Sequence, residues 1–170
     1  MRVLKAGLAL MIACLFPSAS FADATSFDAF FAATAGNWSG TGSVAIKLGV
    51  PKKYAIKVTQ TSAQTEPNLW SFTSSTIGTP HSGGTTLTQY QINGDQLLVI
   101  STQYSVQAEI AKTSATELSF QTTHVDPVTG HSVTVSREMT LVAADSLHVL
   151  SDIYQDQSLV QHFDYVLKRN

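Results

Sequence analysis

AGNWSGTGSVAIKLG, residues 35–49, places a tryptophan and two glycines in phase with apolar residues that then alternate strictly. Trp38, Gly40, Gly42, Val44, Ile46 and Leu48 share one face of an extended chain, and Ser39, Thr41, Ser43 and Lys47 share the other. The first set is apolar or lacks side chains, so it faces inward. Glycines on a concave face let a strand bend sharply and leave interior volume unfilled, which suits a barrel corner better than a flat sheet.

Working outward, Thr, Ser, Gln and Val dominate the middle of the chain, and helix formers in period 3.6 are nearly absent. Ten strand candidates follow: 38–48, 54–62, 69–77, 85–92, 96–103, 105–112, 117–125, 132–141, 146–154 and 160–169. Turn residues separate them at Gly49-Val50-Pro51-Lys52, Glu66-Pro67-Asn68, Asn93-Gly94-Asp95, Asp126 to Gly130 and Ala144-Asp145. Short connections between neighbours imply antiparallel pairing, and the set reads as a meander. The longest connection, 78–84 with Pro80, reads as the loop most free to move. The helical pattern is confined to Phe27, Phe30 and Phe31, behind a cap at Thr25-Ser26 and ahead of Gly36.

The fold class is therefore all-β: an antiparallel up-and-down β-barrel of about eight to ten strands, with a short N-terminal helix capping one end. The count is eight or ten; 96–112 read as one long bent strand would make the total odd and undo the pairing of the last strand with the first. In a barrel with an even number of strands the last pairs antiparallel with the first, so Arg169 meets Trp38. A guanidinium over an indole contributes roughly 0.5 to 2 kcal/mol. Trp38 and Arg169 are the residues expected to close the barrel.

The N-terminus reads as an export leader. Arg2 and Lys5 precede an apolar run of 11 residues from Ala6 to Phe16, then Pro17, then Ser20-Phe21-Ala22 as a small-x-small cleavage site. Residues 1–22 form the signal peptide and 23–170 one domain, in a periplasmic or secreted protein without a transmembrane segment. Met11-Ile12-Ala13-Cys14 gives a second reading, in which Cys14 is lipidated. Residues 23–170 carry eight Lys or Arg against twelve Asp or Glu, a net charge of −4, which argues against nucleic acid as a partner.

Gly36-Asn37-Trp38 and the closing Lys168-Arg169 resemble the opening G-x-W and terminal basic residue of the calycins. Within that group, Trp38-Ser39-Gly40-Thr41-Gly42 is similar to the W-x-G-x-G opening of nitrobindin-related and bacterial lipocalin-like domains. Ser136-Arg137-Glu138-Met139, Gln161-His162-Phe163 and Lys168-Arg169 resemble their final three strands. The tyrosine-proline that often follows those glycines is missing, and 51–128 carry no matching motif. The resemblance implies an interior pocket for a small, largely apolar molecule.

The residues support a pocket on their own terms. Gly40, Gly42, Ser62, Ser74, Thr76, Gln89 and Gln91 are small or polar positions assigned to inward faces, where a filled core would be richer in Leu, Ile and Phe. Arg137 lies in phase with Val133, Val135, Met139 and Leu141 and turns inward. It either meets an internal carboxylate, snorkels to the mouth, or awaits an anionic ligand group. Ligand binding is assigned to Arg137, Tyr54, Trp70 and Tyr165.

The resemblance also implies an alternative, haem ligated from inside the barrel by a histidine early in the last strand, here His162. Alternation with Phe163, Tyr165 and Leu167 turns His162 outward unless a bulge intervenes. His124, His131 and Asp126 flank one turn, a weak metal signal, and no metal is assigned. No nucleophile elbow, H-E-x-x-H, phosphate-binding loop or mature cysteine is present, so the chain is not expected to be an enzyme or to need a cofactor. Two non-enzymatic classes remain, a carrier or sensor of a small apolar, in one version acidic, ligand, and a filled barrel that binds protein.

Overall fold

The computed structural model describes residues 24–47, 49–79, 82–102 and 104–170, so the leader, Cys14, Leu48, Pro80 and His81 lie outside the described residues. One helix, α1 (Ala24–Thr34), precedes β1 (Gly36–Ile46), β2 (Lys52–Glu66), β3 (Leu69–Thr79), β4 (Ser82–Asn93) and β5 (Gln96–Ser101). Then come β6 (Ser105–Gln107), β7 (Glu109–Thr113), β8 (Glu117–Val125), β9 (Ser132–Ala143), β10 (Ser146–Gln155) and β11 (Ser158–Arg169).

These segments form one antiparallel sheet in the order β6-β5-β4-β3-β2-β1-β11-β10-β9-β8-β7. Its two ends, β6 and β7, are separated in the chain only by Ala108, whose N–H donates to the Leu97 carbonyl at 2.8 Å. The first half of this stretch pairs with β5 and the second with β8, so the sheet curls back on itself. Counting 105–113 as one bent strand gives a nearly closed ten-stranded barrel. No helix of the described residues is long and apolar enough to cross a membrane.

Closure occurs where the even strand count places it. Trp38 pairs with Arg169 in the β1–β11 ladder, and the guanidinium stands 4.4 Å from the indole centroid. Arg169 does more than cover the ring: Nη1 donates to the Ala35 carbonyl at 2.7 Å and Nη2 to the Ala33 carbonyl at 2.6 Å. Trp38 Nε1 donates to the Thr34 carbonyl at 2.9 Å, and Ser62 Oγ donates to the same oxygen. The last two carbonyls of α1, those of Ala33 and Thr34, are thus satisfied by side chains of the barrel strands, and a cation sits at the negative end of the dipole.

An isolated helix of 11 residues is marginal in water, so α1 depends on what it buries. Phe27, Phe30 and Phe31 are fully buried. Phe31 stacks on Trp70 and Tyr90 at centroid distances of 5.9 and 5.2 Å and meets Phe72 edge-on at 5.7 Å. This aromatic plug fills one end of the barrel.

Three expectations need correction. The glycines of β1 do not open interior volume: a Cβ on Gly40 would lie 1.9 Å from the Val166 carbonyl oxygen, and one on Gly42 2.2 Å from that of Asp164. They are needed because the β11 backbone approaches where a side chain would stand. Residues 78–84 are not a long loop, since β3 runs to Thr79 and β4 begins at Ser82. Gln89 and Gln91 lie on the outer face, because fully buried Tyr90 and buried Ile92 set the phase, and Gln89 Nε2 donates to Ser71 Oγ outside.

Candidate functional site

Beyond the aromatic plug the barrel holds a cavity of about 220 Å³. One wall, from β2 to β4, is polar at Gln60, Ser74, Thr76, Thr86 and Thr88, with Phe72 at its plug end. The facing wall, from β9 to β11, is apolar at Met139, Val149, Ile153 and Phe163 and carries Arg137, Ser151 and Tyr165. Strand alternation builds both walls, with Phe163 and Tyr165 facing in while Asp164 faces out, and Ser151 facing in between Leu150 and Asp152.

Arg137 is the cation of this cavity. Its Nη1 donates to Tyr90 Oη at 3.1 Å, and its buried Nε has no partner. No carboxylate lines the cavity, and no ion pair involves Arg137 among the described residues. Burial works against its charge, while the phenols of Tyr90, Tyr165 and Tyr104 favour it and move the net direction upward. An arginine side chain is always charged in a protein, so with no carboxylate beside it the guanidinium is uncompensated. Burial likewise pushes the Tyr165 phenol up, against the lowering effect of Arg137.

Two further polar atoms of the cavity are also orphaned. Gln60 Oε1 accepts from Ser74 Oγ at 3.3 Å, but Gln60 Nε2 has no partner, and neither has Ser151 Oγ. Gln60 and Ser151 are 6% and 3% exposed. Among the described residues, three of the five buried side-chain atoms left without a hydrogen bond therefore line one cavity. Such groups normally find partners, so their convergence marks a place built for something polar.

The ligand-binding residues expected from sequence divide. Arg137 and Tyr165 line the cavity together. Trp70 instead belongs to the plug, stacked on Phe31 with Nε1 3.4 Å from Asp28 Oδ1, because Leu69 to Phe72 run past the helix end of the barrel. Tyr54 packs at the edge of the core and is absent from the cavity wall. Sequence reasoning missed Gln60, Thr86, Thr88, Ser151 and Tyr90. The period-two phase set by Val58, Tyr90 and Val149 identifies all five.

His162 does not fit a haem iron ligated from within. It pairs across the ladder with outward Asp152, and its Nδ1 lies 2.6 Å from Asp152 Oδ1, while Phe163 next to it faces the cavity. The bulge between β10 and β11 falls before His162 and leaves its side outward. His148 likewise pairs with Asp164 at 2.9 Å, and His131 with Asp156 at 2.6 Å. The Asp126 carboxylate accepts the Val128 and Thr129 N–H groups, closing its own turn. His124, His131 and Asp126 are therefore not gathered, and no metal-holding group of three such residues exists among the described residues.

His124 stacks on Tyr104 at 3.8 Å, with a buried Nδ1 that has no partner. Burial pulls its pKa down from the ordinary 6.5, against a raising effect of Asp126. Below pH 6.5 the unfolded chain takes up a proton that the folded protein resists, so stability falls as pH drops from there toward the folded value. The Asp156 carboxyl is held low chiefly by the Ser132 N–H, and that of Asp126 chiefly by the Val128 N–H. Their contributions are present above the unfolded carboxyl value of 3.8 and are lost as pH falls through the folded values. We expect the unfolding midpoint of the wild type to fall relative to His124→Phe as pH is lowered from about 7 to 5, read by thermal melts in parallel buffers. A constant difference refutes the assignment.

No protein-family model matches this chain, and no curated protein matches it. Solved structures do. A protein of unknown function from the DUF3598 family of Nostoc punctiforme aligns with a TM-score of 0.56 and 14% identity over 82% of this chain. The chain spans 49% of that protein's length. Rv2717c from M. tuberculosis aligns with a TM-score of 0.57 and 16% identity, over 84% of this chain and 97% of its own. At such identities the likeness is one of fold: this chain shares the nearly closed antiparallel β-barrel of these proteins.

Proposed function

We propose that this protein is an exported, calycin-like barrel that carries or senses a small ligand held in its interior cavity, with Arg137 as the anchor. The observation that carries the reading is a buried guanidinium facing a cavity without a carboxylate. An uncompensated buried charge costs several kcal/mol, and a barrel evolved only for stability would replace it with an apolar residue. A small barrel either fills with side chains or holds one ligand, and the cavity favours the second. The reading involves neither catalysis nor a cofactor, and export rests on the pattern of residues 1–22.

The test is a native mass spectrum of the full chain, exported to a bacterial periplasm and purified without detergent or organic solvent. A small adduct, or one acquired from a metabolite extract and lost in Arg137→Met, is the expected result. A haem-sized adduct lost in His162→Ala overturns the Arg137 reading. A mass that stays bare after incubation with haemin, lipids and the metabolite extract points instead to a barrel that acts through its outer surface.

A further inference from the structure

The cavity specifies more than a small ligand. We propose that it takes a compact aromatic monocarboxylate with a polar group on its ring, of the hydroxybenzoate type; this rests on the ligand-binding reading above. The charge follows from Arg137, the only charged residue on the wall among the described residues. A singly charged carboxylate neutralises it, whereas a doubly charged phosphate leaves a net buried anion.

Register places the acid end. Arg137 on β9 and Ser151 on β10 are direct ladder partners, and both carry an orphaned polar atom, Nε and Oγ. A carboxylate bridging this pair accepts from the guanidinium and from the hydroxyl. Gln60 Nε2 offers its unused N–H from the opposite wall, where Ser74 and the threonines add hydroxyls. A ring hydroxyl is the matching group, since its oxygen accepts from Gln60 and its hydrogen donates to a neighbouring hydroxyl.

The body follows from size and from the second wall. Val149, Met139 and Phe163 give a planar ring an apolar face. A cavity of 220 Å³ exceeds the about 150 Å³ that holds benzene and falls short of the about 300 Å³ where pockets for drug-sized ligands begin. One substituted ring fits these bounds, and the polar wall disfavours a fatty-acid chain.

Isothermal titration of the full exported chain with 4-hydroxybenzoate, benzoate, 4-hydroxybenzamide and dodecanoate tests this. Side-chain amide NMR of Gln60 reports cavity entry, and circular dichroism checks each variant's fold. We expect 4-hydroxybenzoate to bind and to shift the Gln60 amide. Benzoate and Gln60→Leu should each weaken binding by roughly tenfold, and the neutral amide or Arg137→Met by roughly 10- to 150-fold. Dodecanoate binding more tightly than the aromatic acids, still dependent on Arg137, overturns the ligand class and leaves the cavity reading standing. Equal affinity for acid and amide overturns the carboxylate. No heat and no Gln60 shift with these probes or with lipid and haemin overturns the class and the cavity reading together.

Discussion

Replacing Trp38 with alanine lowers the unfolding free energy by about 3 to 5 kcal/mol, the usual cost of truncating a fully buried aromatic. Three losses act together at this position. The indole is fully buried at the joint of first and last strands, so its removal leaves a void next to α1. Its Nε1 no longer donates to the Thr34 carbonyl, and Arg169 loses the ring beneath it. Urea denaturation followed by circular dichroism measures the effect. Trp38→Phe keeps most of the packing and is expected to cost about 1 to 2 kcal/mol, close to one buried hydrogen bond. Equal losses in the two variants would mean that the hydrogen bond, not the packing, holds the joint. A loss below 1 kcal/mol in Trp38→Ala would show that α1 and the β1–β11 ladder hold without it.

That joint was legible because it needed only parity and direction. Alternation from Trp38 fixed the inward face of β1, and an even meander fixed which end of β11 lay beside it. The role of Arg169 as a cap for α1 was not legible, since no local pattern links position 169 to the carbonyls of Ala33 and Ala35. Strand β4 shows why phase fails elsewhere. Thr85 to Thr88 are polar in both phases except for Leu87, which is 43% exposed, so only Tyr90 and Ile92 carry the true phase. The break between the last two strands was expected at 155–159, but its tightness was not legible. Asp156 and Gln157 take positive φ of 47° and 68°, the pattern of a turn usually marked by Asn-Gly or Asp-Gly.

The cavity was partly legible. An inward arginine in a strand of Val133, Val135 and Met139 is a charge where a core residue belongs, and that exception singled out Arg137. Aromatic type alone did not separate cavity from plug. Tyr165 and Trp70 both point inward, but their heights along the barrel differ, and height depends on register with distant strands. Gln60 and Ser151 escaped notice because an isolated polar residue in a Thr- and Ser-rich strand carries no signal until its neighbours across the lumen are known.

Arg137→Met is expected to make the unliganded protein more stable by about 1 to 2 kcal/mol, and the sign matters more than the size. If Arg137 held the barrel together through an ion pair, its removal would strand a buried partner and cost about 3 to 5 kcal/mol. No such partner exists among the described residues, and the guanidinium gives up one hydrogen bond, to Tyr90 Oη. Replacing even a buried ion pair with apolar residues of similar volume is often neutral or stabilising by about 1 to 4 kcal/mol, an unpaired ion has less attraction to lose, and leaving the Tyr90 hydroxyl unpartnered offsets part of the gain. Met139 and Val149 give a methionine side chain apolar neighbours. Chemical denaturation of wild type and variant, each confirmed ligand-free by mass, measures the difference. A stabilised variant that no longer binds anions means that the wild type retains a destabilising charge for its ligand, the stability–function trade-off of a binding site. A variant destabilised by several kcal/mol would instead make Arg137 structural and remove the central support for the ligand reading.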